Sequence, residues 1–426
     1  MAQDRFALLE HPCRLSQSAW PKIQRVAHHL RNRKAFARYY CPRIVSLGPI
    51  HHGEPHLELG EQYKLSWASM YVQGDRNKAQ RLHGKIVVNI KDVKHLYTDD
   101  AVQHFSDDEL AWMLFVDGCA LLQIQKYPDI MNAEPLEAKA DQLLLVRQDA
   151  LLLENQLPFR VLQLLSDLSD ADLIVAMDDF LFLHHFSSAK THHQHRIEGE
   201  HCVVDAVPRS SNPLPVHLLD ELRRGALRDI RPCNTQKPIK EDRTRRNLKE
   251  LKKAGIQVKR NNNSRCPPNV TFSSSSFGGE LILPDIVVDD TFAPLYLNLM
   301  AYEACPDFEN KYEISSYVEF LSYLIDHADD VKELRKAGVL VNCLGSDEEV
   351  ARLFNVITTD LVPDISMYAS VRSEIESYFE VKYKIWLAQA YHAYFSNSGS
   401  FIAFVAACAI LLLTFLQTWF TISGSK

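Results

Sequence analysis

No P-loop, no GxGxxG after a strand, no HExxH and no GxSxG elbow occurs in these 426 residues. The turns that cradle phosphates, hold zinc or expose a nucleophilic serine therefore have no signature here. Ser187 to Lys190 reads SSAK, an SxxK by its letters alone, without companion motifs. Cysteine is sparse: nine residues, at 13, 41, 119, 202, 233, 266, 305, 343 and 408, an odd number with no CxxC pair. That spacing excludes a disulfide framework and a zinc finger, and it fits a reducing compartment. Neither charge dominates, with 47 Lys and Arg against 54 Asp and Glu and a net charge of −7, so overall charge gives no reason to expect nucleic acid as a partner. The opening MAQDRFALLEHPCRL carries Asp4 and Glu10 and no apolar run, so no signal peptide is expected.

The opposite end has what the start lacks. Phe401 to Ile422 is 22 residues without a charge, about 33 Å of helix at roughly 1.5 Å per residue. Phe401, Leu411, Leu412, Leu413, Trp419 and Ile422 are its candidate anchoring residues, and the aromatic flanks Tyr391, Tyr394, Phe395, Trp419 and Phe420 match interfacial belts. The expectation is a single-pass anchor in the plasma membrane or an endomembrane, with the lipid bilayer as partner and the body in the cytosol. Lys382 and Lys384 before the span and Lys426 after it agree weakly with that orientation.

Apolar residues at 46% can supply a core, and the periodicity is mostly helical. Tyr63, Trp67, Met70 and Tyr71 form one stripe. Ser106 with Glu109 and Ser346 with Glu349 have capping-box spacing. The run EISSYVEFLSYLIDHADDVKELRKAG puts Ile314, Tyr317, Val318, Leu321, Leu324 and Ile325 on one face and stops at Gly338. IQVKR (256–260), VTF (270–272) and ELILPDIVV (280–288) read as short strands of a small antiparallel element. The fold class is mainly α: a helical body with that β element and one C-terminal transmembrane helix. Residues 1–185 and 278–395 divide as two helical parts, 401–422 as the span. Between the helical parts, 186–277 is a proline-, serine- and asparagine-rich variable segment, partly disordered, with one helix near LPVHLLDELRRGAL.

Several stretches carry reactive side chains. CPRIVSLGPIHHGEPH offers Cys41, His51, His52, Glu54 and His56 around Gly48, Pro49 and Gly53. Gly48-Pro49 and Gly53 predict a tight connection, with His51 and His52 bonding loop backbone. Asp117 and Gly118 in VDGCALLQ, and Glu154, Asn155, Gln156 and Pro158 in LLLENQLPF, could supply carboxylates for acid–base work. The preferred reading is that they satisfy helix ends. Six histidines between His184 and His201 are chemically capable of binding zinc or copper, but the stretch reads as loop, and no metal or other cofactor is assigned. Residues 237–265 hold eleven Lys or Arg against three acids without interleaved aromatics, which reads as a solvated helix face before a phospholipid or nucleic-acid contact. Sequons begin at Asn262 and Asn269. A cytosolic body leaves both unglycosylated.

Seven blocks in order, VSLGPIHHG, VDGCALLQ, LLLENQLPF, LKKAGIQVK, LPDIVVDDTFAPLYLNLMAYEAC, the long ISSYVEFLSYL…EEVARLFN segment and AACAILLLTFLQT, resemble the plant domain-of-unknown-function 247 family, also called uncharacterised protein family 0481. The likeness runs from Ile23 to Trp419 and is weakest between Phe186 and Arg243. IQRVAHH stands where the family has a YRVP lead, and SNSGS where it often has Asn-Pro-Trp. The resemblance attaches no enzyme activity to GPIHHG. It implies a membrane-tethered, non-enzymatic interaction module with an unknown protein partner, of the kind found among grass relatives at self-incompatibility loci or in stress and growth signalling. The rival reading is a helical hydrolase or metalloenzyme using His51 and His52 with Asp117 and Glu154.

Overall fold

The computed structural model describes residues 21–185, 213–228, 246–261, 269–275, 278–359, 361, 363–364, 366–381 and 398–423. The N-terminal half is helical: α1 (His28–Arg31), α2 (Glu58–Val72), α3 (Arg76–Lys94), α4 (Asp99–Val102), α5 (Asp107–Gln125), α6 (Ala140–Asp149), α7 (Phe159–Leu165) and α8 (Asp170–His185). α9 (Leu218–Leu227) lies inside the LPVHLLDELRRGAL stretch and buries Leu218, Leu219, Leu222 and Ala226. Then come α10 (Leu248–Lys253), β1 (Ile256–Arg260), β2 (Thr271–Ser274), β3 (Gly279–Leu283), β4 (Ile286–Val288), α11 (Phe292–Glu303), α12 (Glu313–Leu324), α13 (Ala328–Lys336), β5 (Leu340–Asn342), α14 (Asp347–Ile357), α15 (Ala369–Glu380) and α16 (Ser398–Ser423).

α5 is the axis of the N-terminal half. It is apolar on nearly every side, so it can only be central, and α2, α3 and α7 pack around it. Gly118 lies within α5 and not at a helix end: an added Cβ there would come within 2.4 Å of Leu165 on α7. The α2 stripe faces the same core, with Trp67 fully buried, its indole N–H donating to the Leu136 carbonyl at 2.9 Å and its ring stacked on Tyr63. Ser106 and Glu109 form the reciprocal capping box, whereas at Ser346 only the serine-to-Glu349 half is made.

Two expectations are corrected in the C-terminal half. The stripe from Ile314 to Ile325 does not continue to Gly338 in one helix. The Asp330 carboxylate accepts the backbone N–H groups of Asp326 and His327, starts a new helix there and leaves Ile325 extended. Gly338 (φ +69°) then ends α13, with Val339 N–H on Leu334 O and Gly338 N–H on Arg335 O, a Schellman closure. The β element is mixed and divided. ELILPDIVV breaks at Pro284-Asp285 into β3 and β4, which belong to different sheets. In the order β1-β3-β2, the short β2–β3 turn makes that pair antiparallel and sends β1 to the other edge of β3, in parallel. β4 pairs β5 in parallel across the α11–α13 crossover.

α16 contains the predicted span. Its stretch Ile402–Phe420, 19 residues, is long and apolar enough to cross a bilayer, and none of it is buried. Leu411, Leu412, Leu413 and Trp419 are exposed, while Phe401 and Ile422 are placed on the helix by their backbone.

Candidate functional site

The loop from Cys41 to His56 is short of regular backbone partners, so its N–H and C=O groups must find others. Buried side chains supply them. Asp149, at the end of α6, accepts the N–H groups of Arg43, Ile44 and Val45 at 3.0, 2.7 and 3.0 Å. Asn155 accepts Leu47 N–H at 2.6 Å and donates to the carbonyls of Val45 and Asp149, both at 2.9 Å. Asp117, on α5, accepts Gly48 N–H at 2.8 Å. Lys64, on α2, donates to Ser46 O at 2.8 Å. Asn298, on α11, accepts Leu153 N–H at 2.8 Å and donates to Tyr39 O at 2.8 Å, tying the C-terminal half to the same junction.

Two glycines are required by this geometry. Gly48 has φ +74°, and a Cβ there would stand 3.0 Å from both Gln156 O and the Tyr97 hydroxyl. Gly60 lets α2 approach the loop, since a Cβ would fall 2.0 Å from Ile44 O.

Two ionic knots lie beneath the loop. In the first, the Lys64 ammonium is fully buried, 2.6 Å from Asp117 and 2.8 Å from Glu61. Burial alone would lower the lysine's pKa, but Asp117 and Glu61 outweigh it and raise the value. In the second, Glu154 takes Val26 N–H at 2.7 Å and the Arg31 guanidinium at 2.8 Å, and the His51 Nε2 lies 3.1 Å away, off the line of a good hydrogen bond. Burial pushes Glu154 up, yet His51, Val26 N–H and Arg31 together hold it below the ordinary carboxylate value. His51 Nδ1 meets Glu54 at 2.7 Å. His51 thus bonds carboxylates and not the loop backbone that the sequence assigned to it.

The structure gathers Glu154, Asn155 and Gln156 with His51 and, one layer deeper, Asp117. Gln156 donates to Ala150 O and Leu152 O at 2.8 and 2.7 Å and accepts Leu219 N–H at 3.0 Å, at the first turn of α9. Pro158 sits at the start of α7. His52 is not brought in: its ring lies edge-on to Phe105 and 3.8 Å from Glu61, partly exposed. Gly53 (φ +81°) is exposed with open space around it. Cys41 sits near Arg31, but burial first of all raises its thiol pKa, so thiolate chemistry is disfavoured. Among the described residues no group of three or more His, Cys, Asp or Glu could hold a metal ion. The histidine-rich stretch lies outside the described residues, apart from the helical backbone of His184 and His185. Asn262 also lies outside them, while Asn269 is half-buried just before β2.

Sequence reasoning missed Asp149, Lys64, Arg31 and Asn298. Lys64 had a signal: it sits three, four and seven residues before Trp67, Ala68 and Tyr71, on the apolar face of α2. Asp149 heads the leucine-rich segment that ends in Glu154, Asn155 and Gln156.

Residues 23–413 match the sequence model of the family DUF247, described as plant protein of unknown function. The UPF0481 protein At3g47200 of Arabidopsis thaliana is 25% identical over 405 residues, covering 89% of this chain and 82% of its own. At3g02645 of the same plant, which carries the UPF0481 name provisionally, is 24% identical over 477 residues, covering 91% and 88%. No solved structure matches.

Proposed function

The chain belongs to the DUF247 family of plant proteins of unknown function, and on that premise we propose a membrane-tethered, non-enzymatic interaction module whose body faces the cytosol. The observation that carries the tether is α16: nineteen consecutive residues, Ile402–Phe420, with no charge and none of them buried. Such a surface is costly in water and stable in a bilayer. The non-enzymatic part is supported by where the reactive groups go. Asp117, Asp149 and Glu154 are turned onto backbone N–H groups and buried cations, so their acceptor capacity holds a loop in place. Recognition of a protein partner, in self-incompatibility or in stress or growth signalling, rests on the family resemblance.

The test uses the full chain in plant cells. The protein is expected to stay in the membrane pellet through alkaline extraction and to be released when 401–422 is deleted. Treatment with a glycosidase is expected to leave its mobility unchanged. Release of the intact chain by alkali would overturn the tether. A glycosidase shift abolished by replacing Asn262 and Asn269 would put the body on the other side. A hydrolytic or metal-dependent activity lost in a folded His51→Gln variant would establish the rival enzyme built on His51, His52, Asp117 and Glu154.

A further inference from the structure

The described part of the basic run, residues 246–261, supplies no side chain to the hydrogen bonds and ion pairs beneath the Cys41–His56 loop. Part of it forms α10, which lies against α13. Lys249 and Lys252 reach Asp329 and Glu333 at 3.2 and 2.5 Å, and Lys249 N–H donates to Asp330 at 3.0 Å. Along this seam opens a groove of about 560 Å³. Lys249, Lys252, Lys253, Lys332 and Lys336 line it, against only Asp329 and Glu333. Glu333 is already shared between Lys252 and Lys336. Lys253 and Lys332 are exposed, and among the described residues neither has an ion-pair partner. Five lysines against two acids make a positive concavity on a chain whose net charge is −7.

Its position gives the concavity a direction. At the end of α15, the Tyr378 hydroxyl donates to Ala254 O at 2.8 Å, the residue next to Lys253. The described body ends three residues later at Val381, and 382–397 connect it to α16. The last described residue of the body thus follows by three a contact with the end of α10, the helix whose Lys249, Lys252 and Lys253 line the groove. We propose that the groove docks the headgroups of acidic phospholipids in the leaflet that receives α16, so that the body lies with its α10–α13 seam on the bilayer. This rests on the tether reading. Lysines suit headgroup phosphates because they act as flexible point charges without a demand for planar geometry. Each one brought to an anionic leaflet strengthens docking about fivefold, within the reach of a Debye length. No aromatic side chain lines the groove to stack a base.

The experiment reconstitutes the full chain in phosphatidylcholine vesicles with and without phosphatidylserine. It follows flotation and the acetylation rate of each lysine by mass spectrometry, with Lys91 on α3 as internal reference. Labelling of Lys253 and Lys332 is expected to slow about tenfold in the phosphatidylserine vesicles alone and to recover at high salt. In K253E/K332E, Lys249 and Lys336 are expected to label equally in both vesicle types. Flotation with neutral vesicles but equal labelling in both would overturn the groove and leave the tether standing. Flotation with phosphatidylserine vesicles alone would keep the groove and overturn the tether. Flotation with neither would overturn both. Equal protection by soluble polyphosphate added to neutral vesicles would overturn the lipid assignment in favour of a free ligand.

Discussion

Asp149→Ala is the sharpest test of the side-chain network that holds the Cys41–His56 loop. The change removes one carboxylate that accepts three neighbouring amides, Arg43, Ile44 and Val45. The Arg43 amide is partly open to water and can find a new acceptor there, but Val45 is buried and Ile44 half-buried. Hydrogen bonds to a charged acceptor contribute about 1.5–3 kcal/mol each, and an orphaned buried amide costs about as much. Two amides stranded in this way predict a loss of about 3–5 kcal/mol, a large share of the ~5–15 kcal/mol that holds a domain folded. Asp149→Asn should cost only about 1–2 kcal/mol, because its amide oxygen can still serve Ile44 and Val45 while its NH₂ confronts Arg43 N–H. Hydrogen exchange on the detergent-solubilised full chain reads this locally. Amides 43–47 should lose at least about a hundredfold of protection in the alanine variant, and a smaller factor in the asparagine variant. Unchanged protection at 43–47, or a global loss below about 1 kcal/mol, would show that the loop is held by packing and not by Asp149.

Three more predictions separate structural from surface roles. His51→Ala removes a fully buried ring that bonds Glu54 at 2.7 Å and packs against Glu154, and should cost about 2–4 kcal/mol, while His52→Ala, partly exposed against Glu61, should cost below about 1, both by urea unfolding. Among glycines, Gly60→Ala should be the most damaging, since its Cβ meets backbone at 2.0 Å. Gly118→Ala comes next at about 1–3 kcal/mol, meeting the side chains of Leu165 and Val161 and no backbone, and Gly84→Ala, in open space within α3, should stabilise by roughly 0.5–1 kcal/mol. A different order would refute the close approaches. Burial, and then Asp178, push the Glu221 carboxyl up to about 7, so the folded protein holds that proton more tightly than the unfolded chain. This stabilisation is complete below about pH 4.5 and lost as pH rises through about 7. Glu221→Gln should flatten the fall, and parallel wild-type and variant curves would refute the shift.

Much of the fold was legible because it rests on period and punctuation. The α2 stripe, the Ser106–Glu109 box, β1 and the Gly338 stop are all local signals, and each lies where its sequence puts it. What failed was non-local or competitive. The Ile314 stripe promised a continuous helix, but Asp330 offered the backbone of 326 and 327 a better partner than the next turn did. Strand direction depends on which edge of β3 remains free, and no property of IQVKR encodes that. Gly118 gave the sign of a break. Its actual reason, room for Leu165, requires knowing that α7 crosses α5 there.

The loop that looks like an active site owes its composition to being a knot. A chain crossing the junction of α2, α5, α6 and α11 with irregular backbone must draw on side chains for the N–H and C=O groups that no regular neighbour satisfies. Here Asp149, Asn155, Asp117 and Lys64 do most of that in a buried place, and the charged ones then need partners of their own. Hence Lys64 under Asp117, and Arg31 with His51 under Glu154. Residue types that resemble catalytic machinery are the ones this satisfaction demands, so their presence alone carries no weight for catalysis. What the knot leaves outside does carry weight. Beyond His51 the loop turns outward, and His52, Gly53, Pro55 and His56 are exposed with Glu54 half-exposed beside them. A frame rigid enough to immobilise residues 43–51 presents that short rim in one fixed shape, at little entropic cost on binding. Under the interaction reading, substitutions at His52 and Pro55 should change partner capture with little change in stability, and substitutions at 43–51, or at Glu54 beneath His51, should change stability first.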